Sequence, residues 1–485
     1  ALGVAPLIPL LVLMLALAFL ARRLADGERG HGWFAAMLLP LAASMGLAMY
    51  MPLRVDHHGW QLALTATTLA GLVDRKWTRG GIIAGISSAA SVVIGMEMLV
   101  YLAGAGALIA LRWIFKDGAA RRMRPYALSL GGTTALGYAL FASNANRLPV
   151  CDALSPVWTS ILVLAAGVLC ALTLLPLRSW PLRFAAATIG GAIVGGFAYA
   201  MWPNCLTGAY QLSPELQKSW LVYIREAKPI YTQARSSWVP IMTLPATGLL
   251  CALIGCWAAR RDTDRLWAWG TVMLMIAFAI GLTFWQIRAG PAAQLLAIPP
   301  VAWALWTLIE KLVAGRWFER VLALLVLLPL GGAIGVYSLY PAVARAMANG
   351  GNAVPARQPP AATNMAASNG ISTKREASPV ASATHATNSG NRTETRRQTT
   401  RRSEARCRTQ PALQVLDQIP AATLFTLVDL GPRVIAITHH SVLAGPYHRN
   451  EKAILDIHHA FDGSPEQFRK IAAAHGATYL LFCPN

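Results

Sequence analysis

Residues Gly3–Leu20 read GVAPLIPLLVLMLALAFL and are followed directly by Arg22 and Arg23. An uncharged run of this length matches the roughly 20 residues needed to cross the hydrocarbon core of a bilayer. The pattern recurs. Apolar spans are predicted at Gly3–Leu20, Trp33–Tyr50, Trp60–Val73, Ile82–Met96, Met98–Phe115, Tyr126–Ala142, Val157–Leu175, Phe184–Met201, Trp238–Ala258, Trp267–Trp285, Pro291–Ile309 and Val321–Tyr340. A large soluble core would show amphipathic stripes instead of solid blocks. The chain has 485 residues, 55% of them hydrophobic and only 13% charged, against about 25% charged in soluble domains. The expected fold class is mainly α: a polytopic transmembrane helical bundle of twelve spans, with a small C-terminal α/β domain.

The net charge of +20 sits in short loops between apolar blocks, so it reads as membrane topology and excludes nucleic acid as a partner. Basic residues alternate from loop to loop. One set holds Arg22, Arg23 and Arg29, then Arg75, Lys76 and Arg79, Lys116, Arg121, Arg122 and Arg124, Arg178 and Arg183, Arg260, Arg261 and Arg265, and Lys311, Arg316 and Arg320. The opposite short loops hold little beyond Arg54, Arg147 and Arg288. The positive-inside rule makes the first set cytoplasmic, and the parity holds through all twelve spans. The expected location is a bacterial inner membrane, with loops 51–59 and 202–237 and everything after residue 340 on the periplasmic side. Gly3–Leu20 is long for a signal peptide and lacks a basic leader. The chain therefore reads as a fragment or mature form whose beginning is absent.

Residues 1–340 form the expected membrane domain. Residues 341–410 are rich in Ala, Ser, Thr, Asn, Pro and Arg and too poor in large apolar side chains to offset the entropy of ordering, so a disordered tether is expected. From 411 to 485 the pattern becomes that of a compact domain. Strands are expected at Leu424–Asp429 and Arg433–Thr438 around a Gly431-Pro432 turn, helices at Glu451–Phe461 and Ser464–His475, and a last strand at Thr478–Phe482. Ser464 and Gln467 have capping-box spacing. Cys151 and Cys205 fall in adjacent periplasmic loops, and Cys407 and Cys483 bracket the C-terminal domain. The periplasm permits disulfides, so the pairs Cys151–Cys205 and Cys407–Cys483 are expected. Cys170, Cys251 and Cys256 lie within spans as packing residues.

The strongest chemical signal is Arg54-Val-Asp56-His57-His58-Gly-Trp-Gln61. An acid and two imidazoles at a membrane interface cost free energy unless they are used. Asp56 suits a general base or a ligand of a divalent cation, and His57 or His58 suits phosphate binding or the metal. Glu97, inside the apolar stretch 82–115, suits a second carboxylate for a cation site or an acid–base pair with Asp56; a snorkelling turn residue is the alternative. Arg288, alone at a span end, suits the phosphate or pyrophosphate of a lipid carrier, or else an interfacial anchor. In Thr438–Asn450, Tyr447 suits stacking on a sugar ring, while His448 and Arg449 suit anionic groups. There is no Walker loop, no dinucleotide glycine fingerprint and no HExxH.

These features together resemble the GT-C membrane glycosyltransferases, which include the oligosaccharyltransferase catalytic subunits and protein mannosyltransferases. Val55-Asp56-His57-His58, Gly95-Met96-Glu97-Met98 and Gly445-Pro446-Tyr447-His448-Arg449-Asn450 resemble more closely a family of bacterial multi-pass proteins allied to that group. The resemblance implies transfer of a sugar from a polyprenyl-phosphate or -pyrophosphate donor to a glycan, lipid or protein acceptor on the periplasmic face. It also implies catalytic roles for Asp56, His57, His58 and Glu97, with Mg or Mn as a divalent cofactor held by Asp56 and Glu97. Substrate-binding roles fall to Arg54, Arg288, Tyr447, His448 and Arg449. In that superfamily an acid in the first periplasmic loop serves as base or metal ligand; Asp56 looks like the residue of the second loop, which places the principal acid before residue 1. Membrane lipids are the other expected partner. The competing readings are a lipid or polysaccharide transporter, an O-antigen-type ligase or polymerase, and a membrane scaffold. A transporter would show broken helices at corresponding positions of two halves, and the sequence shows neither these nor a buried polar pathway.

Overall fold

The computed structural model describes residues 4–25, 29–52, 54, 56–206, 212–233, 235–325 and 409–482. The chain divides into two compact units, residues 1–211 with 224–351, and residues 212–223 with 352–485.

The first unit is a helical bundle. Its long helices are α1 (Leu7–Leu24), α2 (Arg29–Ala42), α4 (His58–Val73), α5 (Trp77–Ile94), α6 (Leu99–Phe115), α7 (Ala120–Phe141), α8 (Pro156–Leu172), α9 (Trp180–Met201), α12 (Arg235–Ala258), α13 (Thr263–Thr283) and α14 (Gly290–Ala314), with short α3 (Ser44–Leu47) and α10 (Pro203–Leu206) between them. These helices overlay the first eleven apolar spans. The twelfth lies mostly outside the described residues. Six described helices are long and apolar enough to cross a membrane, or seven if the bent segment 31–50 counts as one.

The outside of the bundle is apolar. On α9 only Gly190 and Ala198 are buried, while Phe184, Ile189, Ile193 and Tyr199 are 52–73% exposed. No aqueous surface tolerates such a face over a whole helix, and lipid explains it. The core runs through α1, α4, α13 and α14, where Leu13, Leu17, Leu69, Trp269, Ile298 and Val301 are fully enclosed. Helix α5 lies close against α7 because Gly85 faces it: a Cβ there would stand 2.5 Å from the Tyr126 carbonyl oxygen. Small residues of this kind let helix backbones approach where hydrophobic driving force is weak.

One span is broken. Segments 31–42 and 44–50 meet at 84°, just past Pro40 inside α2. The freed backbone N–H groups of Met45 and Gly46 donate to Gln294 Oε1 of α14, at 3.0 and 3.3 Å. Gln294 is buried, and without it two donors would lie unsatisfied in an apolar setting. The kink delivers Tyr50 and the loop after it to the N-terminus of α4, where Tyr50 Oη donates to the Gly59 carbonyl at 2.9 Å. Among the described residues this is the one bent pair that qualifies as a broken span, so matching breaks in two halves are not seen there.

The second unit holds a three-stranded parallel sheet, β1 (Thr423–Phe425), β2 (Ser441–Val442) and β3 (Tyr479–Leu480), in the order β2-β1-β3. Thr423 pairs with Ser441 and Leu424 with Val442, while Phe425 pairs with Leu480. Its helices are α11 (Pro214–Ser219), α15 (Gln410–Gln414), α16 (Gly431–Ile437), α17 (Glu451–Asp462) and α18 (Pro465–Ala474). The strand expected at Arg433–Thr438 is instead α16, and the first strand stops at Phe425. Pro432 sits at the first turn of α16, where its missing N–H and fixed φ cost nothing. β1 and β2 run parallel, so a tight Gly-Pro turn cannot join them and a helical crossover does. Gly431 is required there, since a Cβ would stand 2.2 Å from the Ala444 carbonyl oxygen. The two later helices fall where the sequence places them, and Ser464 Oγ accepts from Gln467 N at 3.2 Å.

Residues 212–223, which the sequence assigns to a loop between spans, are part of this second core. Leu216 is fully buried with Phe425, Ile454 and Ile457. Ser213 N donates to Glu451, and Glu215 pairs with His459. The Cys407–Cys483 pair and the tether at 341–408 lie outside the described residues.

The Cys151–Cys205 disulfide is present, with Cα atoms 5.1 Å apart across a separation of 54 residues. It ties the loop before α8 to α10. Replacing Cys151 by Ser should cost about 2–4 kcal/mol by the loop-closure argument. Thermal unfolding in detergent should show a lower midpoint for the variant and for the reduced wild-type protein, and no further loss on reducing the variant.

Candidate functional site

The motif at 54–61 and the turn at 95–98 meet at one end of the first unit. Asp56 precedes α4: its Oδ1 accepts the His58 backbone N–H at 3.0 Å, and its Oδ2 accepts from Arg54 Nε at 2.7 Å. Arg54 is tied in turn to the Ala48 carbonyl at 3.2 Å. His57 and His58 stack with ring centroids 4.3 Å apart.

Glu97 lies between the C-terminus of α5 and the N-terminus of α6. Oε1 meets His57 Nε2 at 2.8 Å, and Oε2 accepts from Gln61 Nε2 at 2.7 Å. His57 and Gln61 are one helical turn apart, so both reach the same carboxylate. The turn residue before Glu97 has to be Gly95, because a Cβ there would stand 2.6 Å from both Gln61 Nε2 and Glu97 Oε2. Glu97 is thus an anchored internal carboxylate and not a snorkelling one.

The charges follow from these contacts. Burial works against ionisation of Glu97, but the bonds from His57 and Gln61 outweigh it and bring its pKa to about 2. The hydrogen bond to Glu97 raises the His57 pKa against the opposing effect of burial. His58 shifts the other way, lowered first by burial and then by the charge of His57. For Asp56, burial is again outweighed by Arg54 and the His58 contacts, and its pKa is lowered. The site therefore holds Asp56 and Glu97 as anions at neutral pH, with His57 leaning to the charged form and His58 to the neutral one. The His57–Glu97 ion pair forms as pH rises through about 2 and is lost as pH rises through the raised His57 value.

His57, His58 and Glu97 offer ligand atoms all within 4.8 Å of one another. His58 Nδ1 is buried and makes no hydrogen bond; Asp56 Oδ1 stands 3.5 Å away. Two imidazoles and a carboxylate, one with an orphaned nitrogen, fit a divalent first-row cation. Asp56, which the sequence joins to Glu97 as a metal carboxylate, stands outside this trio and is engaged by Arg54. Arg288 lies close enough for its charge to lower the pKa values of both histidines. It pairs with Glu226, and its loop is held by the bond from Ile287 N to the Lys228 carbonyl at 2.8 Å.

Tyr447, His448 and Arg449 belong to the second unit. The Tyr447 and His448 rings are edge-to-face at 4.8 Å, and the Arg449 guanidinium lies 5.9 Å from the Tyr447 ring. Tyr447 is 47% exposed. The nearby His440 is structural: it is buried, accepts from Ala422 N and contacts the Leu416 carbonyl.

Sequence reasoning did not assign Gln61, Tyr50 or Glu226. Gln61 carries a local signal, a buried-type polar residue one turn after His57. Nothing local marks Glu226 as the partner of Arg288.

No protein-family model matches this chain, and no curated protein matches it in sequence. Solved structures do match in fold. An archaeal oligosaccharyltransferase, AglB from Archaeoglobus fulgidus, in complex with an inhibitory peptide and a dolichol-phosphate, aligns with a TM-score of 0.65 at 15% identity, over 99% of this chain and 58% of that one. The apo form of the Archaeoglobus fulgidus oligosaccharyltransferase gives 0.64 at 15% identity, over 99% and 58%. Its complex with Zn and sulfate gives 0.55 at 15% identity, over 99% and 55%. This chain has the oligosaccharyltransferase fold and spans less than three fifths of the length of these proteins.

Titrating Mn or Zn into the purified protein should displace the proton held on His57, since a ligating imidazole must be neutral. Calorimetry in buffers of different ionisation enthalpy should show that proton release at pH 6. Glu97→Gln should weaken binding by about 10–100-fold, the usual effect of disturbing a metal-site partner.

Proposed function

We propose that this protein is a GT-C-type glycosyltransferase that moves a sugar from a polyprenyl-phosphate or -pyrophosphate donor to an acceptor on the periplasmic face of a bacterial inner membrane. The observation that carries the reading is the joining of His57, His58, Glu97, Asp56 and Arg54 at one end of a bundle with the oligosaccharyltransferase fold. The archaeal enzymes of that fold have been captured with dolichol-phosphate and with an acceptor peptide. We extend the topology of the first unit to twelve spans with the C-terminal unit periplasmic, on the alternation of basic loops.

His57, His58 and Glu97 would hold a divalent cation; Mn and Zn suit the two imidazoles better than Mg. Such a cation supplies Lewis-acid neutralisation of a departing phosphate. Arg288 faces the same region and contributes a guanidinium for the phosphate of the donor. Glu226 holds that guanidinium in place until substrate competes for it. Asp56, ionised and fixed by Arg54, receives the proton of the acceptor hydroxyl as it attacks the anomeric carbon, with inversion and no covalent intermediate. Gln61 and Gly95 are positioning residues: one orients Glu97, the other leaves room for it. Tyr447, with His448 and Arg449, provides a stacking face and positive charge for a glycan-bearing ligand on the second unit.

The full-length protein in detergent, given radiolabelled polyprenyl-phosphate sugars, should lose label from the lipid. Asp56→Ala and Glu97→Ala should each slow that loss by about 100-fold or more, as expected for loss of a charge acting in the transition state. No turnover with any donor, together with saturable lipid binding that neither substitution alters, would sink the catalytic reading.

A further inference from the structure

A second polar site lies at the opposite end of α4, α5, α6 and α13 from the histidine cluster. It is a cavity of about 310 Å³ lined by four arginines, Arg23, Arg75, Arg112 and Arg265, against three aspartates. Arginines that only set topology sit in solvated loops or snorkel outward. These do not. Arg23 and Arg112 are 9% and 6% exposed.

The aspartates are already committed. Asp74 accepts from Nε and Nη2 of Arg79, at 2.7 and 2.9 Å. Asp262 caps α13, accepting from the N–H groups of Asp264 and Arg265. Asp264 accepts from Arg112 at 2.7 Å. Arg112 is also clamped between aromatic faces, 5.1 Å from the centroids of both Trp77 and Trp267. What is left over is donor capacity. Arg23 gives Nε to the Val73 carbonyl at 2.8 Å, but its Nη1 is buried with no hydrogen-bond partner, and so is Arg265 Nε. The first turn of α5 borders the cavity through Trp77 and has no side-chain cap, which adds the positive end of a helix dipole. Buried, unsatisfied guanidinium N–H groups cost free energy unless something accepts from them.

We propose that this cavity binds a phosphate group, with Arg23 and Arg265 as its direct donors and Arg112 as a fixed positive wall. The fork geometry of guanidinium matches a phosphate's paired oxygens, and the volume accommodates a headgroup-sized anion. The cavity lies where α1, α4, α5, α6 and α13 begin or end, so the phosphate is either that of a leaflet lipid or that of a soluble phosphorylated compound. The site is independent of the glycosyl-transfer reading.

The test uses the full-length protein in a non-ionic detergent and phosphate-free buffer, titrated separately with inorganic phosphate and with dihexanoylphosphatidylglycerol. Saturable binding is expected, weakened about tenfold or more by R265Q and by R23Q, each removing a charge-assisted bond, and unchanged by R320Q, an exposed arginine elsewhere. Phosphatidylglycerol binding at least tenfold tighter than phosphate identifies a leaflet lipid; comparable affinities identify a soluble ligand. Should R23Q lower the unfolding midpoint, R23K and the half-buried R265Q carry the comparison. No saturable binding of either probe, or equal binding in wild type, R265Q and R23Q, overturns the proposal.

Discussion

Helix α4 is held at both ends by charged side chains, and both polar regions of the membrane unit depend on that. At its N-terminus the Glu97 carboxylate binds His57 and Gln61 from successive turns. At its C-terminus the buried arginines Arg23 and Arg122 donate to the otherwise orphaned carbonyls of Val73, and of Leu72 and Asp74. A helix end in an apolar medium has no water to satisfy its last carbonyls. The protein solves this with guanidinium groups from neighbouring helices, which fix the depth of α4 in the bundle. Its histidine end and its arginine end are therefore placed by the same two sets of bonds.

The broken span acts on the same element. Because Gln294 of α14 satisfies the N–H groups released at the break, the chain turns sharply inside the bundle and carries Tyr50 to Gly59. The loop that bears Arg54 and Asp56 is thereby closed at one end by the kink and at the other by α4. Asp56 then faces Arg54, and the histidines face Glu97. Two anions and two imidazoles of opposite pKa tendency share one cluster.

Much of this was legible in the sequence, and the reason differs from element to element. The apolar segments were readable because local length and hydropathy define them; eleven of them coincide with helices, six or seven of which are long and apolar enough to cross a membrane. The Cys151–Cys205 bond was readable because loop parity puts both cysteines on one side. Arg433–Thr438 misled because Val, Ile and Thr favour strands locally, whereas the parallel pairing of β1 with β2 demands a crossover there. Residues 212–223 misled because a loop between spans was assumed to stay with its spans, although Leu216 has an apolar core available in the other unit.

The candidate site divides in the same way. The residue types Asp56, His57, His58 and Glu97 stand out by themselves, because ionisable groups are costly next to apolar segments. Which of them come together does not follow from the sequence. Asp56 and Glu97 look like a carboxylate pair 41 positions apart, yet the fold sets Glu97 with the imidazoles and Asp56 with Arg54. The arginine cavity shows the same limit, since Arg23, Arg75 and Arg265 read individually as topology signals, Arg112 within a span was not singled out, and only the tertiary structure brings the four to one cavity. Sequence alone thus determined the helical membrane class, the apolar segments and the chemical inventory, through local hydropathy and the energetic cost of charge. The tertiary structure decided the pairings, because hydrogen bonds between residues far apart in the chain depend on helix depth and rotation that no local pattern encodes.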